Sequence, residues 1–105
     1  MELTKETDKF LCLIYKEYLT RRKADIPKSD AIRFSSPDQL VYEFMQGVLP
    51  DDIRSSIASL KSIGFVKTNI LGNFFLEDKA IIYMETRFTN GLKSVIDFIS
   101  KFKPY

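Results

Sequence analysis

The stretch "SLKSIGFVKTNILGNFFLEDKAIIYM", residues 59–84, decides the fold. It begins with apolar residues at helical spacing that stop at Gly64, because a glycine directly after such a stripe can take the left-handed conformation that ends a helix. Two short apolar strands, "FVKTN" and "NFFLE", then enclose a turn at residues 70–73, where Gly72 and Asn73 can take positive φ. A further helix starts on two acidic residues. The stretch therefore predicts a helix, a hairpin and a helix.

The first segment of the chain predicts a long helix. Apolar residues from Leu3 to Tyr18 follow helical spacing, so this first helix should run to about Arg22. Thr4 or Thr7 is its expected cap.

A second helix follows a segment that is hard to interpret. Residues 21–35, "RRKADIPKSDAIRFS", contain a proline that prevents a continuous helix. Within "SSPDQLVYEFMQG", Ser36 is the predicted cap, Pro37 the first helical residue and Gln39 the partner in a capping box. We expect Gly47 to end this helix.

The third helix should run from about residue 50 to residue 63, because Ile53, Ile57 and Leu60 share one face. Its opposite face is small and mostly neutral, with Arg54 and Lys61 on one flank. This neutral, serine-rich face is a candidate surface for a protein partner.

The amino-acid composition limits the kinds of catalytic and metal site that the chain can form. The chain has 105 residues, 45% of them hydrophobic and 29% charged, which fits a single domain spanning 1–105. With no histidine and one cysteine, zinc sites built on Cys and His, Ser-His-Asp triads and Cys-His pairs are excluded. The acidic pairs at 51–52 and 77–78 stand where helices should begin and complement the helix dipole. We expect no enzyme activity, no cofactor and no metal.

The charge and hydropathy of the sequence limit the expected cellular location of the protein and the kinds of partner that it can bind. The net charge of +2 is too small to imply a polyanion partner by itself. The first nine residues are rich in charge and the apolar run after them has only about six residues, so neither a signal peptide nor a membrane span is expected. We therefore predict a cytoplasmic protein. Cys12 falls inside that apolar run and is predicted to be a small core residue.

The C-terminal part carries apolar residues at helical spacing on both sides of a break at residues 89–91. Two packed helices are favoured over one long coiled coil, although a seven-residue repeat continues across the break. We expect this stripe to be uncovered on one chain and to form a homodimer, since apolar area in water is unfavourable by roughly 25 cal/mol per Å². In the alternative, the last helix folds back onto the first helix and the hairpin. The predicted dimerisation residues are Ile81, Met84, Phe88, Leu92, Val95, Ile99 and Phe102.

This order of elements and two motifs resemble the winged-helix (winged helix-turn-helix) superfamily. "SIASLKSIGFV" is similar to the common junction of the third helix and the first wing strand. "LEDKAIIYM" is similar to the "L-T-x-x-G-x-x-Y" segment that leaves the wing, with Glu77 at the usual threonine and Ala80 at the usual glycine. The chain also resembles the small bacterial and phage-associated YjcQ-like group, which ends in an amphipathic helix.

The resemblance implies an α+β, mainly α fold. Residues 1–76 would hold three helices and a two-stranded wing, and residues 77–105 one or two C-terminal helices. The family's function would make the third helix and the wing a surface for double-stranded DNA, in a transcriptional regulator or a phage-related protein. The DNA-binding residues that follow are Arg54, Ser55, Ser59, Lys61, Lys67, Asn69 and Asn73.

The residues themselves support DNA binding in part, and a protein-interaction module without DNA binding is the alternative. Arg54 is the natural base reader of the third helix, whereas Asp51 and Asp52 would lie near phosphate. The strongest basic cluster lies elsewhere and also fits a solvated helix end whose cations complement the dipole. Its members are Arg21, Arg22, Lys23, Lys28 and Arg33.

Two successive phenylalanines in the hairpin, Phe74 and Phe75, must point to opposite faces of a two-stranded ribbon. One of them should enter the core. The other is covered by a terminal helix, exposed as a contact for a partner, or used as a stacking surface for a base.

Overall fold

The computed structural model describes residues 2–101. The chain has an α+β, mainly helical fold with a small three-stranded antiparallel sheet. In chain order the elements are α1 (Lys5–Lys23), α2 (Lys28–Ala31), β1 (Arg33–Phe34), α3 (Pro37–Glu43), α4 (Pro50–Ser62), β2 (Val66–Thr68), β3 (Phe74–Leu76), α5 (Asp78–Arg87) and α6 (Leu92–Ile99).

Helix α1 is the central element of the core. The Thr4 hydroxyl accepts a hydrogen bond from the Thr7 backbone amide at 3.1 Å, so Thr4 is the cap. The helix buries a continuous apolar face, and α4 and α6 pack against it. The buried residues of that face are Phe10, Leu11, Cys12, Ile14, Tyr15 and Tyr18.

Strand β3 lies in the centre of the sheet, between β1 and β2. Phe74 is fully buried, with its ring centroid 5.1 Å from that of Phe34 and 5.9 Å from that of Phe10. Phe75 is half-buried on the opposite face, as strand alternation predicts. The sequence predicts two strands, so β1 is an additional element, as is the short helix α2.

The junction between α4 and β2 confirms the predicted helix stop. Gly64 has φ +80°, and the amides of Phe65 and Gly64 donate to the carbonyls of Leu60 and Lys61 at 2.9 and 3.1 Å. This is the hydrogen-bond pattern of a Schellman cap. In addition, the Lys79 Nζ donates to the Ile63 carbonyl at 2.7 Å, which satisfies another carbonyl at the end of α4.

Three local predictions are wrong. Helix α3 ends at Glu43, so Gly47, with φ +91°, lies in the connection to α4 rather than at the end of the helix. Ser36 precedes α3, but its side chain makes no capping hydrogen bond, so the capping box with Gln39 is not formed. In the hairpin turn Gly72 has positive φ and Asn73 does not.

The C-terminal part forms two helices, which confirms the favoured alternative. Gly91, with φ +63°, precedes α6 and allows the chain to reverse after α5. The rings of Phe88 and Phe98 pack edge to face at 5.5 Å across this corner.

The premise of an uncovered dimerisation stripe is wrong. Helix α6 packs on α1, four of the predicted dimerisation residues lie in the core of one chain, and Leu92 and Ile99 are half-buried. Phe102 lies outside the described residues. The four buried residues are Ile81, Met84, Phe88 and Val95.

A forked ion pair fixes this C-terminal part to α1. The Arg87 guanidinium donates two hydrogen bonds to the Asp8 carboxylate, at 2.5 and 2.9 Å, and lies 4.6 Å from the ring centroid of Phe98. The hydrogen bond with Asp8 raises the pKa of Arg87, so the guanidinium stays ionised.

We predict that Gly64→Ala lowers the free energy of unfolding by about 1 kcal/mol, and Gly64→Val by more, because a side chain is strained at this φ. A Cβ here would meet only the Lys79 side chain at 3.7 Å, so the cost is conformational rather than steric. Urea unfolding measures it. Gly64→Asn is the control and should cost least, since Asn tolerates the left-handed region; equal stability of all three variants would contradict the assignment.

We predict that Cys12 is unreactive in the folded protein. Burial, assisted by the Asp8 carboxylate, raises the pKa of its thiol to about 12. A chromogenic thiol reagent at about pH 8 should therefore label it only in denaturant, and rapid labelling of the native protein would contradict the prediction.

The same raised pKa predicts how the free energy of unfolding depends on pH. At pH values between the pKa of the Cys12 thiol in the unfolded chain and its pKa in the folded chain, the unfolded chain binds fewer protons. The free energy of unfolding should therefore fall as pH rises through this window. Cys12→Ala, which lacks the thiol, should show a smaller loss of the free energy of unfolding over the same pH window.

We predict a favourable coupling between Asp8 and Arg87. Arg87→Ala should lower the free energy of unfolding by about 2 kcal/mol, since it removes a half-buried fork and its packing on Phe98. A double-mutant cycle with Asp8→Ala, followed by urea unfolding, should give a coupling energy of about 1 kcal/mol. Additive single effects would show that the pair contributes nothing beyond its separate side chains.

Candidate nucleic-acid interface

The outer face of α4 is the first part of the candidate site. Ile53, Ile57 and Leu60 are buried against α1 and α3, so helical periodicity turns the opposite side to solvent. Ser55 and Ser59 are exposed there, as the sequence predicts. This face carries small side chains and could approach a flat or grooved partner closely.

Arg54 is held by two carboxylates. Its Nη1 is 2.7 Å from the Asp51 Oδ1, and its Nη2 is 3.5 Å from the Asp38 Oδ2. The partner on α3, Asp38, lies sixteen residues away in the chain and was missed by the sequence interpretation. The predicted base reader is thus compensated on this surface, although all three side chains are more than half exposed and can separate.

Lys61 links α4 to the hairpin. Its Nζ donates to the Thr68 hydroxyl at 2.9 Å, which places the end of α4 beside β2. On β2, the Lys67 Nζ is 3.3 Å from the Glu77 Oε1. Thr68 and Lys67 are neighbours in the strand and face opposite sides of the sheet, so the end of α4 meets β2 on the side of Thr68 and Lys67 lies on the side of Phe75.

The hairpin loop is ordered by Asn69. Its side-chain Oδ1 accepts hydrogen bonds from the backbone amides of Leu71 and Asn73, both at 3.0 Å. This Asx arrangement uses the acceptor of Asn69, so the residue shapes the loop instead of presenting its carbonyl to a ligand. The loop presents two apolar side chains that the sequence interpretation did not single out: Ile70 is 100% exposed and Leu71 is 77% exposed.

The outer face of the sheet carries a row of three side chains. In the strand register Phe75 on β3 pairs with Arg33 on β1 and with Lys67 on β2. Residues paired in this way lie on the same face of a sheet, so the ring stands between two cations. The Arg33 guanidinium lies 5.8 Å from the ring centroid of Phe75.

Most of the predicted basic cluster has a structural role. Arg21 donates to the carbonyls of Ala31 and Arg33 at 3.2 and 2.6 Å, and its guanidinium lies 4.6 Å from the Phe34 ring centroid. Arg22 donates to a carbonyl in the connection after α1. Lys28 pairs with Asp78 at 2.7 Å, and this hydrogen bond raises the pKa of Lys28. Arg21 and Arg22 thus fasten α1 to the segment that follows it, and Lys28 fastens α2 to α5.

The described residues 2–101 contain no cluster of three or more side chains of His, Cys, Asp or Glu that could hold a metal ion. Across the same range, none of the helices has the length and apolar character required to span a membrane.

Comparisons with known proteins give no relative for this chain. No protein-family model, no curated protein and no solved structure matches it.

Proposed function

We propose that the protein binds double-stranded DNA with the outer face of α4 and the adjoining hairpin. The observation that carries this proposal is the hydrogen bond from Lys61 to Thr68, which joins the end of the exposed helical face to the first strand of an ordered hairpin. A helix can enter the major groove while a neighbouring hairpin contacts the backbone.

The order of the elements supports the winged-helix interpretation behind this proposal. Two helices, α3 and α4, precede a hairpin, and the edge strand β1 between α1 and α3 pairs with the second hairpin strand. In a winged helix the helix before the hairpin is the recognition helix. The function then follows by analogy of fold and has to be tested at the site itself.

Electrostatics set the expected strength of the contact. The carboxylates of Asp38, Asp51 and Glu77 hold Arg54 and Lys67, so binding to phosphate requires these ion pairs to open. The two pairs of Arg54 are exposed, so opening each costs about 0–1 kcal/mol, whereas Glu77 in the pair with Lys67 is half-buried. We infer weak and strongly salt-dependent binding.

A protein-interaction module is the second candidate. The observation that favours it is the exposed apolar pair at the hairpin tip, Ile70 and Leu71, which lies on an ordered loop. A protein partner would bury this pair and tolerate the acidic surroundings of Arg54. Homodimerisation stays a prediction. The apolar stripe that was its argument is mostly covered within one chain.

We predict that Arg54→Ala weakens duplex binding about tenfold, because it removes the base-reading cation of α4. Asp51→Asn, Asp52→Asn and Asp38→Asn should each strengthen binding, since they remove a negative charge near phosphate or release Arg54. Fluorescence anisotropy with a labelled mixed-sequence duplex, measured at low and at physiological salt, gives both effects.

Asp97→Asn is the matched control, because it removes the same charge from α6, outside the proposed surface. It should leave the affinity unchanged. Absence of duplex binding at low salt, or affinities unaffected by the Arg54 and aspartate changes, would shift the preference to the interaction module.

A further inference from the structure

The row formed by Arg33, Phe75 and Lys67 is the most distinctive surface outside α4. The side chains of Arg33 and Lys67 are 64% and 78% exposed, and each comes from an edge strand. Two strand spacings separate these edges, which places the Cα atoms of Arg33 and Lys67 about 10 Å apart with Phe75 between them. Since Phe74 occupies the core side of β3, the position of Phe75 on the solvent side is fixed by the backbone.

A small cavity opens beside the ring. It has a volume of about 170 Å³ and is lined by Arg33, Phe34, Ser35, Asn73 and Phe75. Within residues 2–101, the Ser35 hydroxyl and the Asn73 side-chain amide make no hydrogen bond, so both can serve a ligand. The volume is below the roughly 300–1,000 Å³ of sites that enclose a complete small molecule. It suits one planar unit of a longer molecule.

We propose that this face of the sheet, built on Arg33, Phe75 and Lys67, binds an unpaired nucleotide of single-stranded nucleic acid. The base would stack on Phe75, the Asn73 amide and the Ser35 hydroxyl would meet its edge, and the two cations would contact phosphates on either side. Proteins that hold single strands combine an aromatic platform with flanking cations in this manner.

The chemistry of the row distinguishes this ligand from an acidic peptide. Carboxylates alone would be served by the cations and would leave the ring and the amide unused, whereas a nucleotide supplies a π face, a hydrogen-bonding edge and a phosphate. Carboxylates reduce the attraction on both sides, since Lys67 is 3.3 Å from Glu77 and Arg33 is 3.9 Å from Asp30. Both cations are more than half exposed and can leave these carboxylates at small cost, so the pairs modulate the site without blocking it.

The proposal does not rest on duplex binding by α4. Arg54 belongs to the α4 surface, and Phe75 and Arg33 belong to the outer face of the sheet. The two surfaces can therefore be tested by separate substitutions. Lys67 faces the same side as Phe75 but is also among the residues predicted to contact duplex DNA, so it is left unchanged in the tests.

Phe75→Trp provides a direct reporter, because the chain contains no tryptophan. The variant should bind a single-stranded 12-mer with unchanged or higher affinity, and its fluorescence should be quenched as a base stacks on the indole. Matched DNA and RNA oligonucleotides distinguish the two sugars, since the 2′-hydroxyl is the group that a protein can use to tell them apart. Quenching by either the DNA or the RNA oligonucleotide supports the proposal.

Phe75→Leu should weaken binding of the single strand about 5- to 150-fold, the range expected when one stacked base loses its ring. Arg33→Gln should weaken it and lower the slope of log K against log salt by about 0.7, because the variant has one cation fewer to neutralise a phosphate. Glu77→Gln should tighten binding about two- to fivefold, since it releases Lys67. Tyr42→Leu, which removes an exposed ring on α3, is the matched control and should bind like the unmodified protein.

Circular dichroism and thermal unfolding verify that each variant is folded; Arg33→Gln, at an exposed position, tests the site even where Phe75→Leu fails to fold. No binding of single strands at about 50 mM salt would overturn the proposal. So would equal affinity of Phe75→Leu and Tyr42→Leu, or equal quenching of the Trp variant by poly-glutamate, a polyanion without bases. Duplex binding, measured in parallel with Arg54→Ala, reports separately on the proposed function of α4.

Discussion

The strict alternation of side chains along β3 is the constraint on which the rest of the fold depends. Phe74 and Leu76 are buried, and the Phe74 ring packs against Phe34 of β1 and Phe10 of α1. These contacts join the hairpin, the edge strand and the central helix in one core. Because neighbouring residues of a strand face opposite sides, burial of Phe74 forces Phe75 outward. The burial of Phe74 and the outward position of Phe75 are therefore consequences of one backbone geometry.

Elements with local signals could be predicted from the sequence, and elements defined by pairing could not. Helix α4 and its stop at Gly64 follow from an apolar stripe and a glycine, and both are as predicted. Strand β1 has only two residues, Arg33 and Phe34, and becomes a strand because β3 supplies its partner. The end of α3 before Gly47 was missed for a related reason: a glycine marks where a helix cannot continue, while tertiary contacts decide whether it stops earlier.

The same contrast between local signals and tertiary pairing applies to the candidate site: the sequence predicts which of its side chains are exposed, but not which of its charges pair. The exposure of Ser55 and Ser59 on α4 follows from helical periodicity. The ion pair of Arg54 with Asp38 joins two helices and has no local signature. Likewise, the C-terminal stripe predicts that a face is buried but does not identify its cover. The fork between Arg87 and Asp8, far apart in the chain, ties that stripe to α1 within one molecule.

The two proposed surfaces differ in how ready they are for a ligand. On α4 the only arginine is engaged by carboxylates, so a ligand has to replace interactions that the chain already makes. On the sheet, Arg33 and Lys67 are also paired with carboxylates, but Phe75 and the Asn73 amide have no such interaction to replace and lie on a hairpin that Asn69 orders. Preorganisation lowers the entropic cost of binding. The sheet face should thus contribute more affinity per contact than α4. On α4, a partner has to displace the carboxylates from Arg54, so this helix should discriminate between partners that can do so and partners that cannot.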